Sequence, residues 1–199
     1  MDKHPNVLAS HFDKVEEKSK DGQSRNIYFS LRQYVHNSLH QKLHNKIQRV
    51  HFQEKKWIAF QLLSAVCQVH GEDMVHGDIK PENVLVGSDG YIKLTDFGLS
   101  KENISGMKDA KSLCGTAEYL SPEILQRQGH GKATDWWSFG AIIYEMLVGL
   151  PPFYSKDRDK LYQNIKYGDP KMDYEFLSPE ARDLCSRLLI KNPLERLGA

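Results

Sequence analysis

Apolar and polar positions alternate in two early stretches, "VLASHFDKV" (7–15) and "NIYFSLRQYV" (26–35), with a polar turn around "KDGQ" between them. This period of two predicts a pair of strands. From about Asn37 the period changes to that of a helix. In "EKKWIAFQLLSAVCQVH" the residues Trp57, Ile58, Phe60, Gln61, Leu62, Ala65, Val66 and Val69 fall mostly on one stripe. Two short strands follow, "NVLV" and "YIKLT", joined by "GSDG", a hairpin turn by composition. Residues 100–120 are polar without period. From Ser121 the pattern is helical again: a short turn at "SPEIL", then an apolar helix from Asp135, then helices in "DRDKLYQNIKY" and "SPEARDLCSRLLI". Ser178 and Pro179 suit the N-cap and first position of the last of these. The predicted class is α+β, with most of the chain in a helical lobe.

Composition narrows the class. Over 199 residues, 40% hydrophobic and 27% charged content are those of a globular chain. A net charge of +1 does not point to nucleic acid or to an anionic membrane as partner. Cys67, Cys114 and Cys185 are odd in number and widely spaced. They argue against a disulfide framework or a zinc site, and for a reducing, cytoplasmic setting. The apolar run "WWSFGAIIYEMLVGLPPF" is broken by Glu145, Gly149 and two prolines. It reads as a helix buried in a core, not as a transmembrane segment.

The chemistry lies in "HGDIKPENVLV" (76–86) and in "TDFG", which follows it after the hairpin. Asp78 can accept a hydrogen bond from a hydroxyl and orient its oxygen for attack. Lys80 can neutralise charge on a transferred phosphate, and Asn83 and Asp96 offer hard oxygen ligands to Mg²⁺. Each motif alone has a plain structural explanation, a turn or a helix start. Their order and spacing together resemble the catalytic and metal-binding loops of protein kinases.

The resemblance extends along the chain. "CGTAEYLSPE" resembles the substrate-facing loop, and "DWWSFGAIIYEML" the buried helix of that family. It implies that Asp135 binds backbone amides of the catalytic loop and that Arg196 in "NPLERLG" pairs with Glu123. "HPNV" resembles the segment entering a small-lobe strand, and "RQYV" the hinge between lobes. Gln33 and Val35 would then hold adenine by their backbone, with Leu85 as the floor of the pocket. Residues 1–35 are thus expected to be the end of a small lobe with its hinge, and 36–199 the large lobe. From Tyr91 onward the likeness is to the AGC group. Residues 28–86 are similar to the kinase-like regulatory subunit of the class III phosphatidylinositol 3-kinase.

What this implies is a protein serine/threonine kinase using ATP and Mg²⁺ on a protein substrate, with Lys80 and Thr116 marking the serine/threonine type. Glu82 and Glu145 match positions where AGC kinases meet basic residues before the acceptor, and Leu39 stands where a third carboxylate is expected. Ser112 is a candidate phosphosite. The regulatory subunit and upstream kinase stay open. The glycine-rich loop, the strand lysine and its helix glutamate are not found ahead of the first strand, and the chain stops at "RLGA". The expectation is a truncated piece, poorly active alone. The competing reading is a pseudokinase or regulatory scaffold: Gly77, in place of an arginine before Asp78, and the missing lysine favour it, whereas Asp78, Asn83 and Asp96 favour the enzyme.

Overall fold

The structure, a computed structural model, describes Asn6, residues 37–45, 50–97, 117–129 and 131–199, and the backbone of two further strands. Those strands, β1 (Ser10–Lys18) and β2 (Ser24–Arg32), form an antiparallel ladder running from Ser10 opposite Arg32 to Lys18 opposite Ser24. They overlap the stretches predicted by alternation, whose residues 7–9 and 33–35 lie outside the described residues.

Helix does not begin at Asn37. Residues Asn37–Ser38 form β3, followed by a five-residue helix, α1 (Leu39–Leu43). Ser38 caps it: its hydroxyl accepts from the Gln41 N–H while the Gln41 side chain accepts from the Ser38 N–H. This reciprocal pair satisfies donors that a helix start otherwise leaves open. Leu39 is fully buried, so the position where a third carboxylate was expected belongs to the core.

The long helix α2 (Phe52–Gly71) buries Ile58, Gln61, Leu62, Ala65, Val66 and Val69. Trp57 and Phe60, placed on the same stripe by sequence, remain 45% and 62% exposed. They lie one row beside the buried seam and stack on each other with centroids 5.9 Å apart. β4 (Val84–Val86) and β5 (Ile92–Leu94) then form a three-stranded sheet in the order β3-β4-β5. Val84, Val86, Ile92 and Leu94 are buried, and β5 packs on α2.

Two distant amides bind the outer edge of that sheet. Asn6 donates from Nδ2 to Gln61 Oε1 (2.8 Å) and to the Ile92 carbonyl (3.0 Å), and its own carbonyl accepts from the Leu94 N–H. Gln61 Oε1 also accepts from the Ile92 N–H. Gln61 therefore sits in an apolar seam because the edge strand supplies its partners.

After the short α3 (Pro122–Leu125) comes α4 (Lys132–Val148), which starts three residues before Asp135 and is buried continuously from Thr134 to Met146. It ends at Gly149, whose φ of +93° is the left-handed cap that glycine adopts without strain. α5 (Arg158–Tyr167) is capped by Asp157 and α6 (Pro179–Leu188) by Ser178. α6 packs on α4 at Gly140, where a Cβ would stand 2.7 Å from Leu188 Cβ. Helix α4 is thus the axis around which α2, α6 and the loops assemble. Among the described residues no helix is long and apolar enough to cross a membrane.

Candidate active site

Residues 76–83 run between α2 and β4 and close in a single 3₁₀ turn, Pro81–Asn83. Asp78 Oδ2 receives Lys80 Nζ at 2.7 Å and Asn83 Nδ2 at 3.1 Å, and the Asn83 amide also donates to the Asp78 carbonyl at 2.8 Å. Both side-chain contacts fall on Oδ2. Charge-assisted contacts of this length hold the carboxylate in one rotamer.

The loop's backbone is held from beneath by Asp135 in the first turn of α4. This carboxylate is 1% exposed. It accepts from the Gly77 N–H (2.8 Å), the His76 N–H (2.9 Å) and His70 Nε2 (2.8 Å). A buried carboxylate without such donors would be strongly unfavourable. Gly77 has φ +79°, in the left-handed region. The glycine before Asp78 therefore has a backbone reason as well as an electrostatic consequence: an L side chain there is strained.

His76 couples this loop to the strand that carries Asp96. Its Nε2 lies 3.0 Å from the Thr95 carbonyl, and its Nδ1 accepts from the Asp78 N–H at 3.2 Å. A carbonyl can only accept, so the ring is neutral with its hydrogen on Nε2. Burial pushes its pKa down, against the opposing pull of Asp135, the Thr95 carbonyl, Asp78 and Asp96. The Thr95 N–H donates in turn to the Asn83 carbonyl at 3.0 Å. Thr95 is thus clamped on both sides, and Asp96 follows it with φ +66°. A non-glycine residue is held there only where its surroundings over-determine the backbone. Phe97 packs on the His76 ring with centroids 4.7 Å apart.

Asp96 is exposed and Asn83 buried, so one oxygen donor projects and the other is fixed. With its Nδ2 committed to Asp78, Asn83 has Oδ1 as the remaining polar atom of its side chain. Among the described residues no cluster of three or more His, Cys, Asp or Glu is arranged to hold a metal. This pair of hard oxygen donors fits Mg²⁺, which takes few protein ligands and completes its shell with water and phosphate oxygens.

The remaining predicted residues fall in three places. Leu85, between the buried Val84 and Val86, is half-buried on the other face of β4. Glu123 and Arg196 form a bidentate pair, Nη1–Oε1 2.7 Å and Nη2–Oε2 2.9 Å. Burial pushes the Glu145 pKa up, against the Tyr119 hydrogen bond and the nearby His44, and the negative charge of Glu82 and Glu118 adds to the rise. The Tyr119 hydroxyl donates to Glu145 Oε2. Gln33, Val35, Ser112 and Thr116 lie outside the described residues. Sequence reasoning assigned no part to His70, Thr95 or Tyr119. His76 was visible two residues before Asp78, but its partner Thr95 is not local.

The protein kinase domain family matches residues 2–199. Human ribosomal protein S6 kinase alpha-3 is 46% identical over 150 residues, covering 74% of this chain and 20% of that protein. Human RAC-beta serine/threonine-protein kinase is 42% identical over 156 residues, 78% of this chain and 32% of that protein. Protein kinase 3 of Dictyostelium discoideum is 36% identical over 208 residues, 98% of this chain and 22% of that protein. The chain spans about a fifth to a third of the length of these curated relatives. A match along nearly the whole chain, on the loops just described, means that the protein belongs to the protein kinase domain family, with the features of its AGC group.

Proposed function

We propose that this protein transfers the γ-phosphoryl group of ATP to a serine or threonine hydroxyl of a protein substrate. The observation that carries the reading is the posture of Asp78. Its Oδ2 is fixed by Lys80 and Asn83, and its backbone is fixed through Asp135. Oδ1 is left to take the hydrogen bond of the acceptor hydroxyl and to receive its proton as the oxygen attacks. Lys80, already against Asp78, would carry positive charge toward the transferred group. Asn83 and Asp96 would hold Mg²⁺, which when bound supplies charge neutralisation at the phosphate oxygens. Gln33, Val35 and Leu85 would seat the adenine.

The serine/threonine type is supported by Lys80, two residues after the base, and by likeness to the RAC-beta relative, a serine/threonine-protein kinase. We infer a substrate basic before its acceptor, with Glu82 and Glu145 as partners of an arginine. We also infer a cytoplasmic protein, from its three scattered cysteines and the lack of a membrane-crossing helix among the described residues.

The test is a pair of substitutions in the full-length protein. Asp78→Asn should lower phosphoryl transfer on the order of 10²–10⁴-fold while nucleotide binding stays nearly intact. Asp96→Ala should weaken Mg²⁺-dependent nucleotide binding itself. Transfer at the parent rate by Asp78→Asn would show that Asp78 is not the base.

A further inference from the structure

Helices α2, α4 and α6 enclose an apolar groove that the proposed reaction does not use. α2 and α4 run antiparallel, since His70 in the last turn of α2 meets Asp135 in the first turn of α4. The floor is the α4 face from Trp136 to Leu147, a span of roughly 16 Å at the helical rise. The walls come from the first half of α2 and from α6, and Gly198 lies against the Trp136 indole at one end. The volume, about 670 Å³, falls within the roughly 300–1,000 Å³ of small-molecule sites. Phe60, Leu63 and Leu184 stand exposed along the groove. A contiguous apolar surface left open to water in this way marks a binding site.

Three charged side chains enter the lining: Lys55, Lys56 and Glu180. Glu180 is engaged at the start of its own helix. Its carboxylate bonds its own N–H and the Ser178 hydroxyl, which hold its pKa below the ordinary value. The two lysines are not engaged in this way. Lys56 Nζ lies 5.9 Å from the centre of the Phe52 ring, and neither lysine has a carboxylate partner among the described residues. Glu54, the acid of that turn, is taken by Lys42. Because α2 is antiparallel to α4, the lysines stand toward Met146 and Leu147, at the opposite end of the groove from Trp136.

We propose that this groove is a binding site for a free long-chain fatty acid, with the alkyl chain laid along α4 toward Trp136 and the carboxylate set against Lys55 and Lys56. Two patterns match. The groove is an apolar trough of fixed length with unpaired positive charge at one end, and a fatty acid is an apolar tail with one anionic head. Burial of the tail supplies the affinity, whereas the lysines, close to solvent, supply orientation more than strength. An extended peptide would bring polar groups with every residue, and the floor at Phe139, Ile143 and Met146 offers them no partner.

The test is isothermal titration calorimetry on the full-length protein at neutral pH and low ionic strength, below the micelle concentration of each ligand. Octanoate, decanoate, dodecanoate and hexadecanoate are compared, with the alcohols matching the three shorter acids as neutral-headed controls. Each CH₂ that enters the groove should tighten binding about fourfold. The gain should stop once the tail reaches Trp136, so hexadecanoate gains less per carbon than the shorter acids. Each acid should bind about threefold tighter than its alcohol, and Lys55→Gln/Lys56→Gln should remove that margin while leaving the alcohols unchanged. Ala59→Trp, which fills the groove from the α2 wall, should abolish binding of every chain. No saturable binding of any acid would overturn the proposal, and so would binding that Ala59→Trp does not weaken. Affinity that climbs equally for acid and alcohol, and at the same rate as far as hexadecanoate, would mean partition onto exposed apolar surface and would overturn it too. Sedimentation of the parent completes the test: a concentration-dependent dimer that excludes the acids would make a second copy of the chain the occupant and overturn the proposal.

Discussion

Replacing Arg196 by alanine should test how α3 is fastened to the helical lobe. Arg196 and Glu123 are 3% and 4% exposed. Besides its two contacts with Glu123, the guanidinium donates to the carbonyls of Ala133, Ile190 and Lys191 and lies 5.1 Å over the Trp137 ring. Removing one partner of a buried ion pair costs about 3–5 kcal/mol, because the other charge is left without compensation. Proton uptake by Glu123 relieves part of this, so a loss of about 4 kcal/mol at neutral pH is expected. The sign of the pH dependence is specific. Burial alone would raise the Glu123 pKa, but its bonds to Arg196 outweigh burial and hold it below the usual carboxylate range. In the parent, the stabilisation is therefore complete above the ordinary value of about 4.3 and is lost as pH falls through the depressed one. In the variant burial is opposed by the Thr134 hydroxyl and a backbone N–H, without the guanidinium, so protonation of the carboxyl becomes more favourable than in the parent. The deficit of the variant should be greatest near neutrality and shrink as pH is lowered toward about 4. Urea unfolding followed by the fluorescence of Trp136 and Trp137 measures it, with Glu123→Gln/Arg196→Ala expected to be more stable at neutral pH than Arg196→Ala alone. A deficit under about 1 kcal/mol, the range of surface pairs, or one independent of pH, would refute the reasoning.

Three further substitutions address the framework of the site. Asp135→Asn leaves an amide group against two backbone donors and His70, and should destabilise by about 2–4 kcal/mol; hydrogen exchange at His76 and Gly77 should quicken, and unchanged protection there would disprove the tether. Gly77→Ala forces a Cβ into a left-handed backbone at roughly 1–2 kcal/mol, which thermal unfolding should register together with reduced transfer. A gain in stability would mean that the turn is not needed. Gly140→Ala should cost about 1–3 kcal/mol by overpacking against the Leu188 Cβ, and it should cost less in a Leu188→Gly background, which lacks that Cβ; simple additivity of the two would contradict the contact.

Short-range chemistry accounts for what was legible in advance. Asp78, Lys80 and Asn83 fall within six residues, and the turn that unites them begins at Pro81, so their proximity is a property of the local chain. The β4–β5 hairpin and the caps at Ser178 and Pro179 are local in the same way. The helical stripe of α2 was legible as a period, but a period does not tell the buried seam from the row beside it. Trp57 and Phe60 were misplaced for that reason: burial is decided by what packs against the helix. Gly77 was read through the charge it lacks, whereas its left-handed φ is a property of the folded loop.

The amino-acid order by itself determined the α+β class, the catalytic-type loops and the helical character of the second half, because each arises from contacts or periodicities spanning a few residues. Only the tertiary structure decided what steadies those loops. Asp135 reaches back to His70, His76 and Gly77 across more than fifty residues, Asn6 binds the far edge of β5, and Arg196 returns to Glu123. It also set His40 and His44 against Glu82 and Glu145, which no spacing announces. The physical reason is common to these cases: a buried charge or amide is tolerated only where the fold brings its partner, and that partner is chosen by the packing of distant elements rather than by its position along the chain.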